Sequence, residues 1–339
     1  MPTNYQPPYE IMPSILTLVA EIAEAVGRFT ALGEKSLTPK LRRENRLRSI
    51  QASLAIENNT LTLEEVTAVI KGRRVAGTLR EIQEVKNAFV AYESLDSWSP
   101  TSLDDLLSAH KLMMTALVDD AGHFRSGSVG IFKGEQLMHM APPAQKVPLL
   151  MDNLMAWLAN TKEHPLVASS LFHYEFEFIH PFSDGNGRLG RLWQTVILKA
   201  WKPLLPYLPV ETVIKPNQSD YYGALAQADQ EAKATVFVEF MLQSLLKALA
   251  TDQVTDQATD QVMRLLKLLA QAQKPIRVSA GELMAALDLS HRPTFRNNYL
   301  DPALDGGWIE YTQPDSPKSP TQKYRLTELG RKKLMSFGD

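Results

Sequence analysis

The sequence predicts a mainly α-helical protein that carries one β-hairpin and ends in a small domain of helices and strands. Through the first two thirds of its 339 residues, apolar side chains recur at spacings of three and four, the period of an amphipathic helix. One segment, residues 129–140, instead places two short apolar runs around a polar turn, which is typical of a hairpin. With 44% hydrophobic residues, a chain of this length is expected to form two or three domains.

The helical period identifies the elements in order along the chain. It first appears at Pro13. It returns in the segments 41–56, 80–92, 103–117, 147–158, 166–178 and 189–200. The hairpin strands are predicted at 129–132 and 137–140, and Pro142 and Pro143 end the second strand because proline cannot continue a ladder.

Charge and composition exclude several classes of function. The formal net charge is −2, from 36 basic and 38 acidic residues, so no global field attracts nucleic acid or a membrane surface. The absence of cysteine excludes disulfides, thiolate nucleophiles and cysteine-bound zinc. The first residues lack the pattern of a signal peptide, and no stretch approaches the ~20 apolar residues of a membrane span. We therefore expect a cytoplasmic protein without a membrane partner.

The most informative segment is HPFSDGNGRLGR, residues 180–191, here called the GNGR loop. It joins two predicted apolar helices, and Gly185 and Gly187 allow backbone N–H groups to approach an anion without obstruction by a Cβ atom. The N-terminal end of the following helix adds positive potential. Arg188 and Arg191 lie on about the same face of that helix, where both guanidinium groups can hold phosphate oxygens.

Asp184 and His180 add two reactive groups to this loop. Mg²⁺ typically takes one or two protein carboxylates beside the phosphates of a nucleotide, and Asp184 supplies one. The imidazole of His180 can accept a hydroxyl proton at neutral pH because its ordinary pKa is about 6.5. Each residue alone is more often structural, but their combination within one short loop indicates phosphoryl or nucleotidyl transfer.

The GNGR loop resembles the signature of the Fic family, HxFx(D/E)GNGRxxR, at every defined position. The segments SSLFHYEFEFIHPF, GHFRSGSVGIF and DYYGAL also look like parts of a Fic core, so the resemblance covers roughly residues 40–249. It implies a mainly helical Fic fold and transfer of AMP from ATP to a serine, threonine or tyrosine hydroxyl of a target protein. ATP is then the substrate and Mg²⁺ the cofactor.

The resemblance also implies a role for each residue of the GNGR loop. His180 is the base that deprotonates the target hydroxyl, Asp184 holds Mg²⁺, and Phe182 is a buried anchor. The residues implied to bind the phosphates are Gly185, Asn186, Gly187, Arg188 and Arg191.

Two further features of the resemblance have alternative interpretations. Tyr221 and Tyr222 either border the adenine or pack in the core. The hairpin resembles the flap of the family, on which a target segment aligns its backbone by strand addition. The residues implied to bind that segment are Val129, Gly130, Ile131 and Phe132. A scaffold hairpin that touches no partner is the alternative.

Residues 53–58, SLAIEN, resemble the inhibitory motif of the family and are here called the SLAIEN segment. Ser53 opens the motif, and Glu57 follows at the end of a predicted helix, before two asparagines that favour a helix stop. The resemblance implies that Glu57 pairs with Arg191 and so denies this guanidinium to the γ-phosphate of ATP. The alternative is an ordinary glutamate in the capping region of a helix.

The C-terminal residues 263–339 follow the order of helices and strands of a winged helix, with 292–304 as the candidate recognition helix. They contain twelve basic and eight acidic residues, so contact with DNA and contact with protein both remain open. The preceding repeat, TDQVTDQATDQV, is either a helix start or a polar spacer. The predicted domains are an N-terminal helical region with the inhibitory motif (1–100), a Fic catalytic core (101–250), a linker (251–262) and the winged-helix domain (263–339).

The leading hypothesis is a protein adenylyltransferase that restrains itself through Glu57. One alternative is a phosphodiesterase that removes AMP from a modified protein, with Glu57 orienting a water molecule. Another is a DNA-binding regulator whose core senses a nucleotide. The expected partners are a protein substrate with a hydroxyl side chain, the chain itself through self-modification or a homodimer, and DNA through the winged helix.

Overall fold

The structure, a computed structural model, describes residues 5–31, 39–133, 136–271, 278–305, 307–314, 316, 319 and 321–335. The chain divides into two compact units, Met1–Leu249 and Ala250–Asp339. The mainly helical fold predicted from the sequence is confirmed. Among the described residues, no helix combines the length and the apolarity needed to cross a bilayer.

The first unit consists of packed helices with one hairpin. Its helices are α1 (Pro13–Ala31), α2 (Pro39–Ile56), α3 (Leu63–Ile70), α4 (Leu79–Glu93), α5 (Leu103–Met114), α6 (Val147–Asn160), α7 (Pro165–Ile179), α8 (Asn186–Trp201), α9 (Glu211–Ile214), α10 (Gln218–Glu231) and the start of α11 (Thr235–Gln271). One hydrophobic core runs through the unit, and residues on both sides of position 100, such as Ile22 and Leu171, belong to it.

The core of the first unit is built around α7 and α8, which pack against each other. Almost every residue of α7 is buried, because its sequence carries apolar side chains on all faces. Phe176 and Trp193 of this pair are fully buried. Gly190 permits the close approach of the two helices, since a Cβ atom there would lie 3.0 Å from Cδ2 of His173. The GNGR loop therefore starts and ends on the most buried helices of the unit.

Helix α3 was not predicted from the sequence. Its N-terminus is a capping box, in which the backbone N–H of Glu65 donates to the Thr62 hydroxyl oxygen and the Thr62 N–H donates to the Glu65 carboxylate. A helix of 8 residues is too short to establish a hydrophobic period, although the Thr-x-x-Glu pattern was readable.

The predicted hairpin consists of β1 (Gly130–Lys133) and β2 (Gln136–Met140). The strands are antiparallel, with Gly130 opposite Met140 and Lys133 opposite Gln136. The register shifts between Ile131 and Phe132. The turn residues 134–135 lie outside the described residues. In the fold, β2 lies beside α10.

The second unit has the helix and strand order of a winged helix. Its helices are the end of α11, α12 (Ala280–Ala286), α13 (Arg292–Phe295), α14 (Asp301–Asp305) and α15 (Glu328–Met335). Its sheet has the order β3 (Val278–Ser279), β5 (Lys323–Leu326), β4 (Ile309–Tyr311), and all pairs are antiparallel. A π-helical stretch, Arg296–Leu300, joins α13 to α14, so the candidate recognition helix is one helical run with an irregular centre.

The repeat at residues 251–262, for which a linker and a helix start were both considered, is helical and lies within α11. Its sequence contains neither proline nor glycine, the two residues that disfavour a helix interior most strongly.

Candidate active site

The GNGR loop begins and ends with residues in the left-handed backbone conformation. His180 follows the last residue of α7 with φ +47°, and Gly185 precedes the first residue of α8 with φ +86°. Glycine is required at 185 for a second reason, because a Cβ atom would lie 2.6 Å from Sδ of Met114. These two turns reverse the direction of the chain between α7 and α8. The base candidate His180 and the N-terminus of α8 therefore lie at the two ends of one short loop.

The centre of the loop is anchored by Phe182 and Asn186. The Phe182 ring is fully buried and stacks on the His110 ring, with 3.6 Å between the centroids. The side-chain amide of Asn186 accepts from the Phe182 N–H at 3.0 Å and donates to the Phe182 carbonyl at 2.9 Å. Both polar atoms of its buried side chain are thus bonded inside the loop, and the binding of phosphate by Asn186 stays a prediction.

His110 supports the loop from α5 and was missed by the sequence analysis. Its Nδ1 accepts from the Gly122 N–H at 2.9 Å, so the proton lies on Nε2, which donates to the Asp184 carbonyl at 3.0 Å. Burial lowers the pKa of His110 to about 4. The imidazole is therefore neutral near pH 7 and acts as a fixed donor and acceptor between two segments.

Arg125 is a second supporting residue that the sequence analysis did not identify. Its buried guanidinium makes hydrogen bonds to carbonyl groups of three segments. Nε donates to His180 at 2.7 Å, Nη1 to Gly127 at 2.8 Å, and Nη2 to Pro142 at 2.6 Å and to Ile179 at 3.3 Å. One side chain thus joins the end of α7 to the residues that precede and follow the hairpin.

Asp184 is an ionised carboxylate held by two arginines. Its Oδ1 accepts from Arg188 and its Oδ2 accepts from Arg80, both at 2.7 Å. Burial raises the pKa of Asp184, but Arg188, the Gly185 N–H and Arg80 outweigh this effect, so the pKa lies below its ordinary value. The described residues contain no cluster of three metal-binding side chains. Asp184 stays the predicted ligand of a magnesium ion, which typically takes one or two carboxylates and nucleotide phosphates.

The two arginines of the loop have different surroundings. Arg188 donates to Asp184 and, through Nη1, to Glu84 at 3.1 Å, so the structure places it among carboxylates. Arg191 is 2% exposed. Its Nη2 donates to Glu57 at 2.8 Å and to the Ser53 carbonyl at 3.0 Å, and its Nε donates to the Ser53 hydroxyl at 3.1 Å. The structure therefore brings Ser53, Glu57 and Arg191 together.

The Glu57 carboxylate also lies directly against Gly187. A Cβ atom at Gly187 would lie only 2.3 Å from Oε1 of Glu57. Gly187 is in the first turn of α8, where the free N–H groups and the helix dipole favour an anion. The carboxylate thus lies where the sequence analysis expected a phosphate to bind.

The end of α2 that carries the SLAIEN segment is held by donors from beyond α9. Lys215 Nζ donates to the Ala55 carbonyl, and Gln218 Nε2 donates to the Ile56 carbonyl at 2.6 Å. These bonds satisfy carbonyl groups that have no partner within a helix. Asn58, with φ +67°, then ends the segment.

The two tyrosines of α10 have different environments. Tyr221 is 1% exposed and its hydroxyl bonds to Nε2 of the buried His173, so the core-packing alternative describes it. Tyr222 is 43% exposed. Burial, followed by the charge of Glu57, raises the pKa of Tyr222 to about 12. Tyr222 is therefore the exposed member of the pair, and the charge of Glu57 acts on it.

Of the predicted flap residues, the structure describes the backbone of 130–133 as β1, and the Val129 carbonyl accepts from the Ala141 N–H at 3.2 Å. The side chains of Ile131 and Phe132 lie outside the described part of the structure. Binding of a target strand to this edge stays a prediction.

Comparison with known structures identifies the family. The chain is similar to a Fic family protein from Desulfovibrio desulfuricans G20, with 64% identity, a TM-score of 0.73, and coverage of 96% of this chain and 99% of that one. The chain belongs to the Fic family. Residues 100–198 match the Fic/DOC family, and residues 260–327 match the C-terminal domain of proteins described as "Filamentation induced by cAMP protein Fic-like".

More distant Fic relatives show the same fold or a related sequence. Fic-1 from C. elegans is 22% identical with a TM-score of 0.61, and the match covers 72% of this chain and 73% of that one. Proteins named protein adenylyltransferase Fic are 29% identical over 215 residues in Drosophila grimshawi and 28% identical over 214 residues in Aedes aegypti. These matches cover 60% and 59% of this chain, but only 42% and 40% of the relatives.

Within the Fic unit, the structure adds residues that the motif does not contain. Arg125 lies in GHFRSGSVGIF, a segment noted only for its Fic-like sequence, and a match to the motif does not reveal its four carbonyl partners. His110, Lys215 and Gln218 carry no sequence signal of their own, since each acts on a segment far away in the chain.

Proposed function

We propose that this Fic protein is a protein adenylyltransferase that transfers AMP from ATP to a hydroxyl group of a protein and is restrained by Glu57. The observation that carries the proposal is the Glu57 carboxylate, which is ion-paired to Arg191 and lies against Gly187 at the N-terminus of α8. An anion already lies at the site where a nucleotide phosphate is expected. The names of the insect relatives support the same reaction, although the chain spans only about two fifths of their length.

The chemistry assigned to this site is a single displacement at the α-phosphorus. His180 accepts the proton of a serine, threonine or tyrosine hydroxyl of the target. The hydroxyl oxygen forms a bond to the α-phosphorus, and the bond from that phosphorus to the bridging oxygen breaks, which releases pyrophosphate. Arg125 fixes the backbone of His180 and so sets the position from which the imidazole acts.

The phosphates are assigned to the first turn of α8. Backbone N–H groups near Gly185 and Gly187 and the positive end of the helix bind them, and Asn186 keeps the loop in the required shape. In this proposal Arg191 binds the γ-phosphate. Arg188, which pairs with Asp184, lies between that carboxylate and the phosphates. Glu57 and Ser53 occupy Nη2 and Nε of Arg191, so the γ-phosphate has to compete with the Glu57 carboxylate for this guanidinium.

Magnesium fits the residues of the site. Asp184 is ionised and its side chain is 38% exposed, so one oxygen ligand is available if Arg80 or Arg188 yields its place. When bound, the ion neutralises phosphate charge and orients the leaving pyrophosphate. In this proposal Tyr222 borders the adenine site. The edge of strand β1 binds the backbone of the target segment.

Removal of AMP from a modified protein is the second candidate function. One observation favours it: the Glu57 side chain is 31% exposed, so a carboxylate inside the phosphate site also reaches solvent. Glu57 would then orient a water molecule for attack on the phosphodiester. A DNA-binding regulator whose core senses a nucleotide stays a prediction, and so do contact of the winged helix with DNA and self-association.

The experiment that tests the proposal asks which group is transferred. Full-length protein and its Glu57→Gly variant are incubated with ATP labelled at the α- or at the γ-phosphorus, alone and with a lysate. Adenylyl transfer labels protein from the α-label only. Labelling of the purified protein from the γ-label, in the absence of lysate, would indicate phosphorylation and would refute the proposal, as would an absence of α-label from every protein. Release of AMP from labelled protein by the wild type, lost in Glu57→Gly, would favour the second candidate.

A further inference from the structure

A cavity at the N-terminal end of α2 has a strongly basic wall and lies apart from the GNGR loop. It has a volume of about 360 Å³, and its walls include Arg42, Arg43 and Arg46 of α2, Phe89 and Glu93 of α4, and Tyr207. Arg46 lies about 15 Å along the helix from its C-terminal end, where the SLAIEN segment meets Arg191. The cavity is therefore a separate site on the same helix.

Two guanidinium groups converge on one aromatic ring in this cavity. The Cζ atoms of Arg42 and Arg46 lie 5.1 Å and 5.5 Å from the centroid of the Tyr207 ring. Like charges four positions apart on a helix repel each other. Glu93 pairs with Nη1 of Arg46, but the buried Nε of Arg46 has no acceptor among the described residues. The cavity wall thus contains three arginines and one carboxylate, and Arg46 keeps a buried donor without an acceptor among the described residues.

The helix itself adds to this positive potential. Residues 39–48, PKLRRENRLR, contain five basic residues and one acidic residue, and the first turn of α2 contains no acidic residue. The helix dipole favours carboxylates at the N-terminal end of a helix. The basic residues at the N-terminal end of α2 therefore interact unfavourably with the dipole. A basic first turn next to a basic cavity is an arrangement that an external anion stabilises.

The size and the aromatic wall restrict the class of anion. A volume of about 360 Å³ is in the range of small-molecule sites, and Phe89 and Tyr207 supply half-buried rings. Guanidinium forks match the oxygens of a phosphate group. We propose that this cavity binds a small phosphorylated molecule, with its phosphate on the arginines of α2 and the rest of the molecule against Tyr207. This proposal is independent of the reaction at the GNGR loop.

The test follows the arginine side chains themselves in full-length, ¹⁵N-labelled protein. Nε–Hε signals of Arg42, Arg43 and Arg46 are assigned with single Gln variants and followed during titration with inorganic phosphate, AMP and adenosine. We expect these three signals to shift and saturate with phosphate and with AMP but not with adenosine. The signals of the exposed Arg73 and Arg74 should not shift. Site-specific signals separate this cavity from any phosphate at Arg188 or Arg191.

A matched pair of double variants measures the contribution of the cavity. Arg42→Gln/Arg43→Gln should weaken phosphate binding, observed at Arg46, by at least about tenfold, whereas Arg73→Gln/Arg74→Gln removes the same charge elsewhere and should have no effect. The single Arg43→Gln variant, at an exposed position, serves if the double variant does not fold. Equal affinities in the two double variants, or no saturable shift at the three arginines, would overturn the proposal.

A Tyr207→Leu variant distinguishes two sources of the phosphate group. If AMP binds more tightly than inorganic phosphate and the variant removes only that advantage, the ligand is a nucleotide. If the two probes bind equally and the variant changes neither, the ligand is a phosphorylated molecule without a stacking ring. Both results support a phosphate site, and binding of adenosine alone would contradict it.

Discussion

The GNGR loop and the SLAIEN segment meet at Arg191, but they are held in place by contacts of different kinds. The loop is fixed by buried groups: the Phe182 ring stacks on His110, the Asn186 amide bonds to the backbone of Phe182, and the Arg125 guanidinium donates to the carbonyl of His180. In the SLAIEN segment, residues 53–56 are buried as well, but the carboxylate of Glu57 is partly exposed, and the segment ends directly after it at Asn58.

This difference indicates which of the two regions can move. Withdrawal of Glu57 requires the loss of its ion pair with Arg191, but it leaves the core of α7 and α8 intact. Displacement of the loop would expose Phe182 and leave several buried polar groups without partners, at a cost of about 1–3 kcal/mol for each group. The structure therefore favours a rigid catalytic loop and a displaceable Glu57 side chain, which follows the buried residues Ser53 to Ile56. Substitutions in the loop and at Glu57 should have effects of different kinds.

The largest effect is expected at the reacting group. His180→Ala should lower AMP transfer by about 10²–10⁴-fold, the usual contribution of a general base. The affinity for ATP should change little, because the proposed phosphate-binding groups lie on α8. Initial rates with α-labelled ATP and equilibrium binding of ATP measure the two quantities. His123→Ala, an exposed histidine of the same unit, is the matched control. Near-normal transfer by His180→Ala would refute its role as the base.

The second effect concerns the connection of the loop to the hairpin. Arg125→Lys keeps the charge but cannot reach all four carbonyls, so we expect transfer to fall by about tenfold to a hundredfold through misplacement of His180. ATP affinity should persist. Hydrogen exchange of the Ala141 N–H should accelerate, since its bond to Val129 closes the base of the hairpin. Unchanged exchange together with unchanged transfer would show that Arg125 does not position His180.

The third effect is a pH dependence of stability from His110. Its pKa is about 4 in the fold and about 6.5 in the unfolded chain, so the unfolded state binds the proton first as the pH falls. The stability is present above pH ~6.5 and is lost as the pH falls towards 4; between pH 7 and pH 5 the loss is about 2 kcal/mol. Denaturant unfolding at both pH values, for wild type and His110→Gln, measures it. An equal loss in both proteins would contradict this origin.

The smallest effect is expected at the support of the SLAIEN segment. Lys215→Met removes the donor to the Ala55 carbonyl, which loosens the end of α2 and should raise transfer by about threefold to tenfold. The exposed Lys162→Met is the control. In a Glu57→Gly background the same change should have no effect. A further increase there would show that Lys215 acts elsewhere than on the inhibitory contact.

Sequence reasoning identified the parts of the site that are local and missed the parts that are distant in the chain. The motif from His180 to Arg191 was readable because its turn, helix start and charges lie together in the sequence. The residues that support this loop could not be predicted in the same way, because His110 and Arg125 contact it across 74 and 55 residues of the chain. For the same reason, sequence alone could not separate Tyr221 from Tyr222, which differ only in what packs against them. The contacts of the Asn186 side chain with the Phe182 backbone could not be predicted from the motif, and its binding of phosphate stays a prediction.

The contrast between loop and segment depends most directly on Glu57. Its carboxylate is proposed to compete with the γ-phosphate for Arg191, so Glu57→Gly should raise AMP transfer by about tenfold to a hundredfold, as expected for one charge-assisted hydrogen bond of about 1.5–3 kcal/mol. Arg191→Ala should not reproduce the increase, because it removes the partner of the γ-phosphate as well.

The decisive measurement is the initial rate of self-labelling with α-labelled ATP for wild type, Glu57→Gly, Arg191→Ala and the double variant. We expect a faster rate for Glu57→Gly alone, with the double variant as slow as Arg191→Ala. A Glu57→Gly protein that folds, binds ATP and labels no faster than wild type would contradict the inhibitory role of the ion pair.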